Sequence, residues 1–190
     1  LVPAGKRDAL VAALRKEVQA RYGADLANSG DYTRVVNAGQ YARLQGYLDD
    51  ARARGVETLT LAGIADPAQR LLPPTLLLEP GDDARVMQDE IFGPLLPIKS
   101  YRTLDEAIAY VNAHDRPLAL YPFSHDSATV EKILQHTLAG GVSVNDTLFH
   151  FAIGNLPFGG VGPSGMGAYH GRAGFDTMSK QLPILFQARS

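Results

Sequence analysis

Residues 95–145 read LLPIKSYRTLDEAIAYVNAHDRPLALYPFSHDSATVEKILQHTLAGGVSVN, and this stretch decides the predicted fold. Apolar runs alternate in it with amphipathic stretches that start at helix-capping residues. Strands are predicted at Leu95 to Tyr101, Pro117 to Ser124 and Gly141 to Asn145. Helices are predicted from Thr103 to about Asn112 and from Asp126 to about Thr137. Because strand-helix-strand units connect parallel strands, the sequence predicts an α/β fold with a mostly parallel, doubly wound sheet and helices on both faces.

The chain on the N-terminal side of this stretch continues the alternation of helices and strands. Apolar residues at helical spacing predict a helix from Lys6 to Tyr22, ended by Gly23, and another from Gln40 to Arg54, closed by Gly55. Further strands are predicted at Val56 to Ala62, at Pro74 to Leu78 and, at the C-terminal end, at Gln181 to Gln187. We therefore expect one α/β domain.

Residues 145–180 are predicted to form a long loop that is rich in glycine. Eight glycines lie from Gly154 to Gly174, a density that indicates positive φ angles or close backbone approach. Within it, Gly160 to Gly165 matches the dinucleotide-binding pattern G-x-G-x-x-G, which requires a strand before it and a helix after it. Because Pro163 lies inside the match and more glycines follow, we predict no helix there and reject a Rossmann turn.

The composition is ordinary for a soluble globular protein: 190 residues, of which 45% are hydrophobic and 20% charged. A net charge of −2 gives no electrostatic reason to bind nucleic acid or an anionic membrane. No apolar run is long enough to span a bilayer and the first residues do not resemble a signal peptide, so we expect a cytoplasmic protein. The absence of cysteine excludes disulfides, thiolate metal sites and a cysteine nucleophile within these residues.

Several polar residues leave more than one interpretation open. Glu90 precedes an Ile-Phe-Gly-Pro turn and fits either a carboxylate that accepts hydrogen bonds from ribose hydroxyls or a solvated turn acid. Ser143 and Ser164 lack the G-x-S-x-G pattern of a serine hydrolase. His150 and His170 flank the glycine-rich loop and fit either a pocket or a structural role. Because no histidines are spaced as H-x-x-x-H, no metal site is predicted.

Two motifs together resemble the aldehyde dehydrogenase superfamily. The first is EIFGP at Glu90 to Pro94, and the second is PFGGVGPSGMG at Pro157 to Gly167, at the separation typical of that family. The run MGAYHG at Met166 to Gly171 is similar to the class 3 and coniferyl aldehyde dehydrogenase branch. The resemblance covers essentially all 190 residues.

The resemblance implies roles for two cofactor-binding residues and five substrate-lining residues. Glu90 resembles the glutamate that binds the nicotinamide ribose hydroxyls, and Phe92 resembles the phenylalanine that packs beside this ribose. Asn145 matches a family asparagine that opens the glycine-rich segment. The positions that line the substrate funnel of class 3 enzymes are matched by Leu148, Phe151, Ala152, Phe158 and His170.

The resemblance also implies that residues 1–190 are the C-terminal part of the enzyme, with the cofactor domain largely absent. The chain would begin a few residues after the nucleophilic cysteine, so no catalytic residue is expected in it and the isolated chain is expected to be inactive. The terminal strand 181–187 is expected to lie in the oligomerisation region of a homodimer.

The implied parent activity is the oxidation of an apolar or aromatic aldehyde, similar to coniferaldehyde, to the carboxylic acid with NAD or NADP. Two other interpretations stay open. One is a truncated module that only dimerises or binds a partner. The other is a relative that reduces semialdehydes or acyl phosphates through the same thioester chemistry.

Overall fold

The computed structural model describes residues 1–188, and the chain divides into two compact units. The first unit, Leu1–Arg102, contains strands β1 to β5 and helices α1 to α3. The second unit begins at Thr103 and contains strands β6 and β7 and helices α4 to α7 in its described part. No helix within residues 1–188 has the length and apolar character needed to cross a membrane.

Both helices predicted near the N-terminus are confirmed. Helix α1 spans Arg7–Tyr22 and ends at Gly23, whose φ of 77° lies in the region that favours glycine. Helix α2 spans Ala38–Ala53 and starts two residues before the predicted start. Its cap is Asn37, whose side chain accepts a hydrogen bond from the backbone N–H of Gln40 at 2.8 Å.

Three strands form the main sheet of the first unit: β2 at Glu57–Thr60, β3 at Thr75–Leu78 and β4 at Leu95–Ile98. The middle strand β3 pairs antiparallel with β2 and parallel with β4. A separate parallel pair consists of β1 at Val2–Pro3 and β5 at Ser100–Tyr101. The single strand predicted from Leu95 to Tyr101 is therefore two strands, because the chain changes partner at Lys99, whose carbonyl accepts a hydrogen bond from the Val2 N–H.

Helices cover both faces of β3, a strand in which every residue is buried. Leu77 lies in a core cluster with Leu44 and Tyr47 of α2. Leu76 and Leu78 belong to a second cluster, against which the apolar residues of α1 pack. Since successive side chains of a strand point to opposite faces, the two helices lie on opposite sides of the sheet. A short helix α3, Arg85–Gln88, precedes β4.

The second unit continues the alternation with α4 at Leu104–Asn112, β6 at Ala119–Leu120, α5 at Ser127–His136 and β7 at Gly141–Val142. Both helices begin at the predicted caps. Thr103 accepts a hydrogen bond from the Glu106 N–H at 3.2 Å, and Asp126 accepts one from the Thr129 N–H at 3.1 Å. Strands β6 and β7 are parallel and shorter than predicted. With three parallel pairs and one antiparallel pair among residues 1–188, the predicted α/β class with a mostly parallel sheet is confirmed.

The predicted loop at 145–180 holds more regular structure than expected: α6 at Phe149–Ala152, a 3₁₀ turn at Gly162–Ser164 and α7 at Gly171–Met178. No α-helix opens at the G-x-G-x-x-G match, in agreement with the prediction. The later glycines nevertheless do not prevent α7, which begins at Gly171 and contains Gly174. A glycine costs a helix about 1 kcal/mol. Local contacts offset part of this cost, since Arg172 pairs with Asp176 at 2.9 Å and lies over the Phe175 ring.

Residues 181–188 contain no strand, in contrast to the terminal strand predicted at Gln181 to Gln187. A strand requires a backbone partner, and a favourable composition does not supply one. The apolar side chains of the segment are between 66% and 93% exposed, namely those of Leu182, Ile184, Leu185 and Phe186. Its participation in an oligomer stays a prediction.

Candidate functional site

The turn at residues 90–94 is attached to helix α2 through Arg43. The guanidinium donates from Nη1 to the Glu90 carbonyl at 3.0 Å and from Nη2 to the Ile91 carbonyl at 2.7 Å. Nη1 also donates to the Tyr47 hydroxyl at 2.7 Å. Because the guanidinium is a planar fork of donors, it holds the two adjacent carbonyls in one orientation. The course of the turn is therefore set by a side chain of α2.

The turn directs neighbouring side chains to opposite sides. Ile91 packs against the core cluster that contains α2, whereas the Phe92 ring is 86% exposed. Phe92 also has a φ of 48°, a left-handed conformation that non-glycine residues rarely adopt and that is concentrated at functional sites. The next residue is glycine because a Cβ on Gly93 would lie 2.6 Å from the methyl carbons of Leu44. The chain thus presents a large apolar ring outward in a strained conformation.

An open cleft of about 890 Å³ lies beside this turn in the first unit. Glu90, Phe92 and Tyr32 belong to its lining. Within residues 1–188 the Glu90 carboxylate, which is exposed, accepts no hydrogen bond and forms no ion pair. The Tyr32 hydroxyl donates to the Leu72 carbonyl at 2.6 Å, and burial, together with nearby Tyr22, raises the pKa of Tyr32 to about 12. The cleft therefore combines a neutral phenol with a carboxylate that is available to hydroxyl donors.

Three of the five predicted substrate-lining residues lie together in the second unit. The Phe158 ring centroid is 5.3 Å from that of Phe151 and 5.9 Å from that of His170, and the latter two are 6.2 Å apart. Tyr169 lies 5.6 Å from Phe158, and these two residues exchange two backbone hydrogen bonds of 2.9 Å. Such separations are typical of favourable aromatic pairs. We call Phe151, Phe158, Tyr169 and His170 the ring cluster.

The other two predicted residues, Leu148 and Ala152, flank or end the short helix α6. Leu148 precedes the helix with a φ of 65° and is exposed, and Ala152 is its last residue and is also exposed. Phe151 lies on the same helical turn, so α6 links this apolar surface to the ring cluster. All five predicted substrate-lining residues therefore belong to the second unit, whereas the predicted cofactor-binding residues Glu90 and Phe92 belong to the first.

Close backbone contacts behind the ring cluster explain two of its neighbouring glycines. A Cβ on Gly159 would lie 2.0 Å from the Gly167 carbonyl oxygen, and one on Gly160 would lie 2.1 Å from the Ser164 carbonyl oxygen. The predicted close approach is confirmed at both positions. The Ser164 hydroxyl accepts from the Val161 N–H at 2.9 Å and donates to the Val161 carbonyl at 3.1 Å, so it stabilises the turn.

Ser143 and His150 form a buried pair that the sequence pattern does not reveal. The Ser143 hydroxyl contacts His150 Nδ1 at 2.9 Å, and the two residues are only 8% and 9% exposed. The His150 ring lies 6.0 Å from Phe158 and therefore borders the ring cluster. Ser143 follows strand β7 and His150 lies in helix α6, so no single helix or strand period connects them and no local signal could have linked them. The contacts support the structural interpretation of His150.

Asn145 fixes the start of the glycine-rich segment through hydrogen bonds to the loop that contains Ser124. Its side-chain oxygen accepts from the Ser124 N–H at 2.8 Å, and its side-chain nitrogen donates to the Ser124 carbonyl at 3.0 Å. Its backbone N–H donates to the Pro122 carbonyl at 2.8 Å. Asn145 thus ties two loops of the second unit together. Within the described part of the chain, no group of three acidic or histidine side chains could hold a metal ion.

The comparison with known proteins agrees with this geometry. The chain matches the model of the aldehyde dehydrogenase family over residues 1–182. It is 51% identical over 186 residues to a probable coniferyl aldehyde dehydrogenase of Caulobacter vibrioides, which covers 94% of this chain and 38% of that protein. It is 40% identical over 187 residues to aldehyde dehydrogenase family 3 member A2 of Rattus norvegicus, which covers 98% of this chain and 37% of that protein.

A solved structure extends the agreement to three dimensions. The substrate-bound state of AldH from Staphylococcus aureus superposes with a TM-score of 0.86 at 40% identity, covering 98% of this chain and 42% of that chain. The chain spans 37–38% of the length of the two curated relatives. The family match includes both the turn at 90–94 and the glycine-rich segment on which the sequence resemblance rested. This chain belongs to the aldehyde dehydrogenase family.

Proposed function

We propose that the protein containing this chain oxidises an apolar or aromatic aldehyde, such as coniferaldehyde, to the carboxylic acid with NAD or NADP. In this reaction the aldehyde, the oxidised cofactor and water give the acid, the reduced cofactor and a proton. The observation that carries the proposal is the turn at 90–94, where an unpaired carboxylate and an exposed, strained phenylalanine line the same cleft.

The turn has the chemistry to hold the nicotinamide ribose. A carboxylate accepts hydrogen bonds through two oxygens, which suits a pair of vicinal hydroxyls, and no residue of 1–188 competes for the Glu90 carboxylate. The exposed Phe92 ring supplies an apolar surface in the same cleft. Together Glu90 and Phe92 would orient the cofactor, which accepts a hydride when it is bound. NAD and NADP share this ribose, so the proposal covers both.

The ring cluster has the chemistry of a wall for a flat, apolar substrate. Phe151, Phe158 and His170 offer ring faces and edges within 6.2 Å of one another. Leu148 and Ala152 extend the apolar surface along α6. The name of the Caulobacter relative, a probable coniferyl aldehyde dehydrogenase, supports an aromatic aldehyde.

The nucleophile of the proposed reaction has to come from residues outside this chain. The 190 residues contain no cysteine, and the hydroxyls of Ser143 and Ser164 are engaged in structural hydrogen bonds. The family resemblance implies a cysteine thiolate that attacks the carbonyl carbon before hydride leaves, after which water releases the acid. The role proposed for this chain is to bind and orient cofactor and substrate, with no catalytic residue of its own.

We further propose that the complete protein is a cytoplasmic homodimer, as the family resemblance implies. The exposed apolar segment that includes Leu182, Leu185 and Phe186 supports association with a second copy.

Replacing Glu90 in the complete enzyme tests the cofactor role. Glu90→Gln keeps the size of the side chain but removes a charge-assisted acceptor, a loss of about 1.5–3 kcal/mol, or roughly 10- to 150-fold in cofactor affinity or hydride transfer. Because the side chain is exposed, folding should be unaffected. Steady-state kinetics should show a raised cofactor KM, a lowered kcat, or both.

Two controls make this test specific. Asp89→Asn removes the neighbouring exposed carboxylate and should leave the kinetics unchanged. The purified 190-residue chain alone should not oxidise coniferaldehyde or benzaldehyde, because it has no thiol. Unchanged kcat and cofactor KM in Glu90→Gln would remove Glu90 from the cofactor site, and NAD-dependent oxidation by the isolated chain would contradict the role assigned to it.

A further inference from the structure

We propose that Arg43 is a positioning residue for the cofactor, which acts by holding the backbone that presents Glu90 and Phe92. The identity of the ligand rests on the proposed function. The positioning itself rests on contacts within the first unit and can be tested without any ligand.

The donors of Arg43 are directed to neutral acceptors. Nε donates to the Gln40 side-chain oxygen at 2.7 Å, Nη1 to the Tyr47 hydroxyl and the Glu90 carbonyl, and Nη2 to the Ile91 carbonyl. Arg43 forms no ion pair with any carboxylate in residues 1–188. A guanidinium most often pairs with carboxylate or phosphate. The Arg43 guanidinium instead binds two consecutive carbonyls, which indicates that it holds the turn at 90–94 in its conformation.

The turn needs this support because Phe92 adopts a strained conformation. A left-handed non-glycine residue persists only where its surroundings determine its conformation. The two carbonyls before Phe92 are held by Arg43, and the residue after it, Gly93, packs closely on the buried side chain of Leu44. The backbone is thus held on both sides of Phe92, and on the N-terminal side it is held by the hydrogen bonds of Arg43.

The orientation of Arg43 is itself fixed by packing. The Tyr47 ring is only 2% exposed, and the guanidinium carbons of Arg43 and Arg85 each lie 5.2 Å from its centroid. A cation over an aromatic face is attracted by the ring quadrupole. A lysine could reach one carbonyl but could neither bridge both nor stack as a plane. Arg43→Lys should therefore rescue the turn only in part.

The test measures hydrogen exchange in peptides that cover residues 89–94, in the complete enzyme without ligand. Arg43→Met, which keeps the aliphatic stem, should accelerate exchange there about tenfold, and Arg43→Lys should give an intermediate rate. The dissociation constants of NAD and NADP should rise by about the same factor in Arg43→Met. The matched control is Arg52→Met on the same helix, where the arginine is exposed and contacts Asp49 at 3.4 Å; it should change neither quantity.

Comparison with Glu90→Gln separates this inference from the proposed function. If Glu90→Gln leaves cofactor binding unchanged, the proposed function fails, while the exchange rates still decide the role of Arg43. If Arg43→Met is folded and exchanges like the wild type over residues 89–94, the inference is overturned. Arg43→Met is also made in the Glu90→Gln variant. If Arg43 acts by positioning Glu90, Arg43→Met should weaken cofactor binding less in this variant than in the wild type. An equal factor in both backgrounds would overturn the inference. Should Arg43→Met not fold, Arg43→Lys provides the same comparison.

Discussion

The hydroxyl oxygen of Ser143 lies 2.9 Å from Nδ1 of His150 and 3.3 Å from the His150 backbone nitrogen. This oxygen accepts the His150 backbone N–H and also shares a hydrogen bond with Nδ1, in which the donor depends on the tautomer of the ring. Nε2 is buried without a partner among residues 1–188. It packs against β7, where a Cβ on Gly141 would lie 2.7 Å from it. The pair thus holds in place a ring that borders Phe158.

Removal of the Ser143 hydroxyl should destabilise the protein. Ser143→Ala leaves buried Nδ1 without a partner, which costs about 1–3 kcal/mol of the free energy of unfolding. Denaturant titration measures the change. Ser127→Ala is the matched control, because Ser127 is exposed at the start of α5, and it should stay within about 0.5 kcal/mol of the wild type. Equal stability of the two variants would show that the buried contact contributes nothing.

Gly159 and Gly154 should respond in opposite ways to the same substitution. Gly159→Ala places a methyl group 2.0 Å from the Gly167 carbonyl oxygen, and such overpacking costs about 1–3 kcal/mol. It also displaces neighbouring Phe158, so the aldehyde KM of the complete enzyme should rise. Gly154→Ala meets no atom within 4 Å and should be neutral or slightly stabilising. Thermal unfolding of both variants checks this, and a Gly159→Ala variant as stable as Gly154→Ala would contradict the close contact.

The Glu79 carboxyl should make stability depend on pH in the acid range. It accepts hydrogen bonds from the Ser100 N–H at 3.0 Å and from the Ser100 hydroxyl at 2.5 Å. Burial alone would raise the pKa of Glu79, but these bonds and the charges of Arg7 and Lys99 outweigh it, so the pKa lies below its ordinary value of 4.5. The unfolded chain therefore binds the proton more readily than the folded protein. The stabilisation is complete above the ordinary pKa and is lost as the pH falls through the folded pKa.

Glu79→Gln should remove this contribution. Urea unfolding from about pH 6 to pH 2 should show a shallower loss of stability in the variant than in the wild type. Glu57→Gln, which removes an exposed carboxylate from β2, controls for the loss of one negative charge. Identical pH profiles for Glu79→Gln and the wild type would contradict the assigned hydrogen bonds.

The segment at residues 181–187 should drive self-association of the isolated chain. Its apolar side chains are exposed, and a segment that pairs with no strand within residues 1–188 can pair with the sheet edge of another molecule. Light scattering on the chain with and without residues 181–190 measures this contribution. A full chain that stays monomeric at micromolar concentrations would refute the association. Equal association after the deletion would show that another surface of the chain is responsible for it.

Local chemistry in the sequence was enough to predict several elements of this protein. Helices α1 and α2, the caps at Thr103 and Asp126 and the buried strand β3 depend on side-chain periodicity and on hydrogen bonds between residues a few positions apart. Such interactions have the same form wherever the segment lies in the fold. The motif at residues 90–94 and the glycine-rich motif likewise identified the family.

Contacts between residues that are far apart in the sequence were revealed only by the tertiary structure. The division of residues 95–101 between two sheets depends on β1 and β3, and the direction of the turn at 90–94 depends on Arg43, 47 positions before Glu90. The Ser143–His150 pair and the absence of a strand at 181–188 could not be predicted for the same reason. The local sequence around a donor, an acceptor or a strand edge does not identify its partner, because only the path of the folded chain brings the two together.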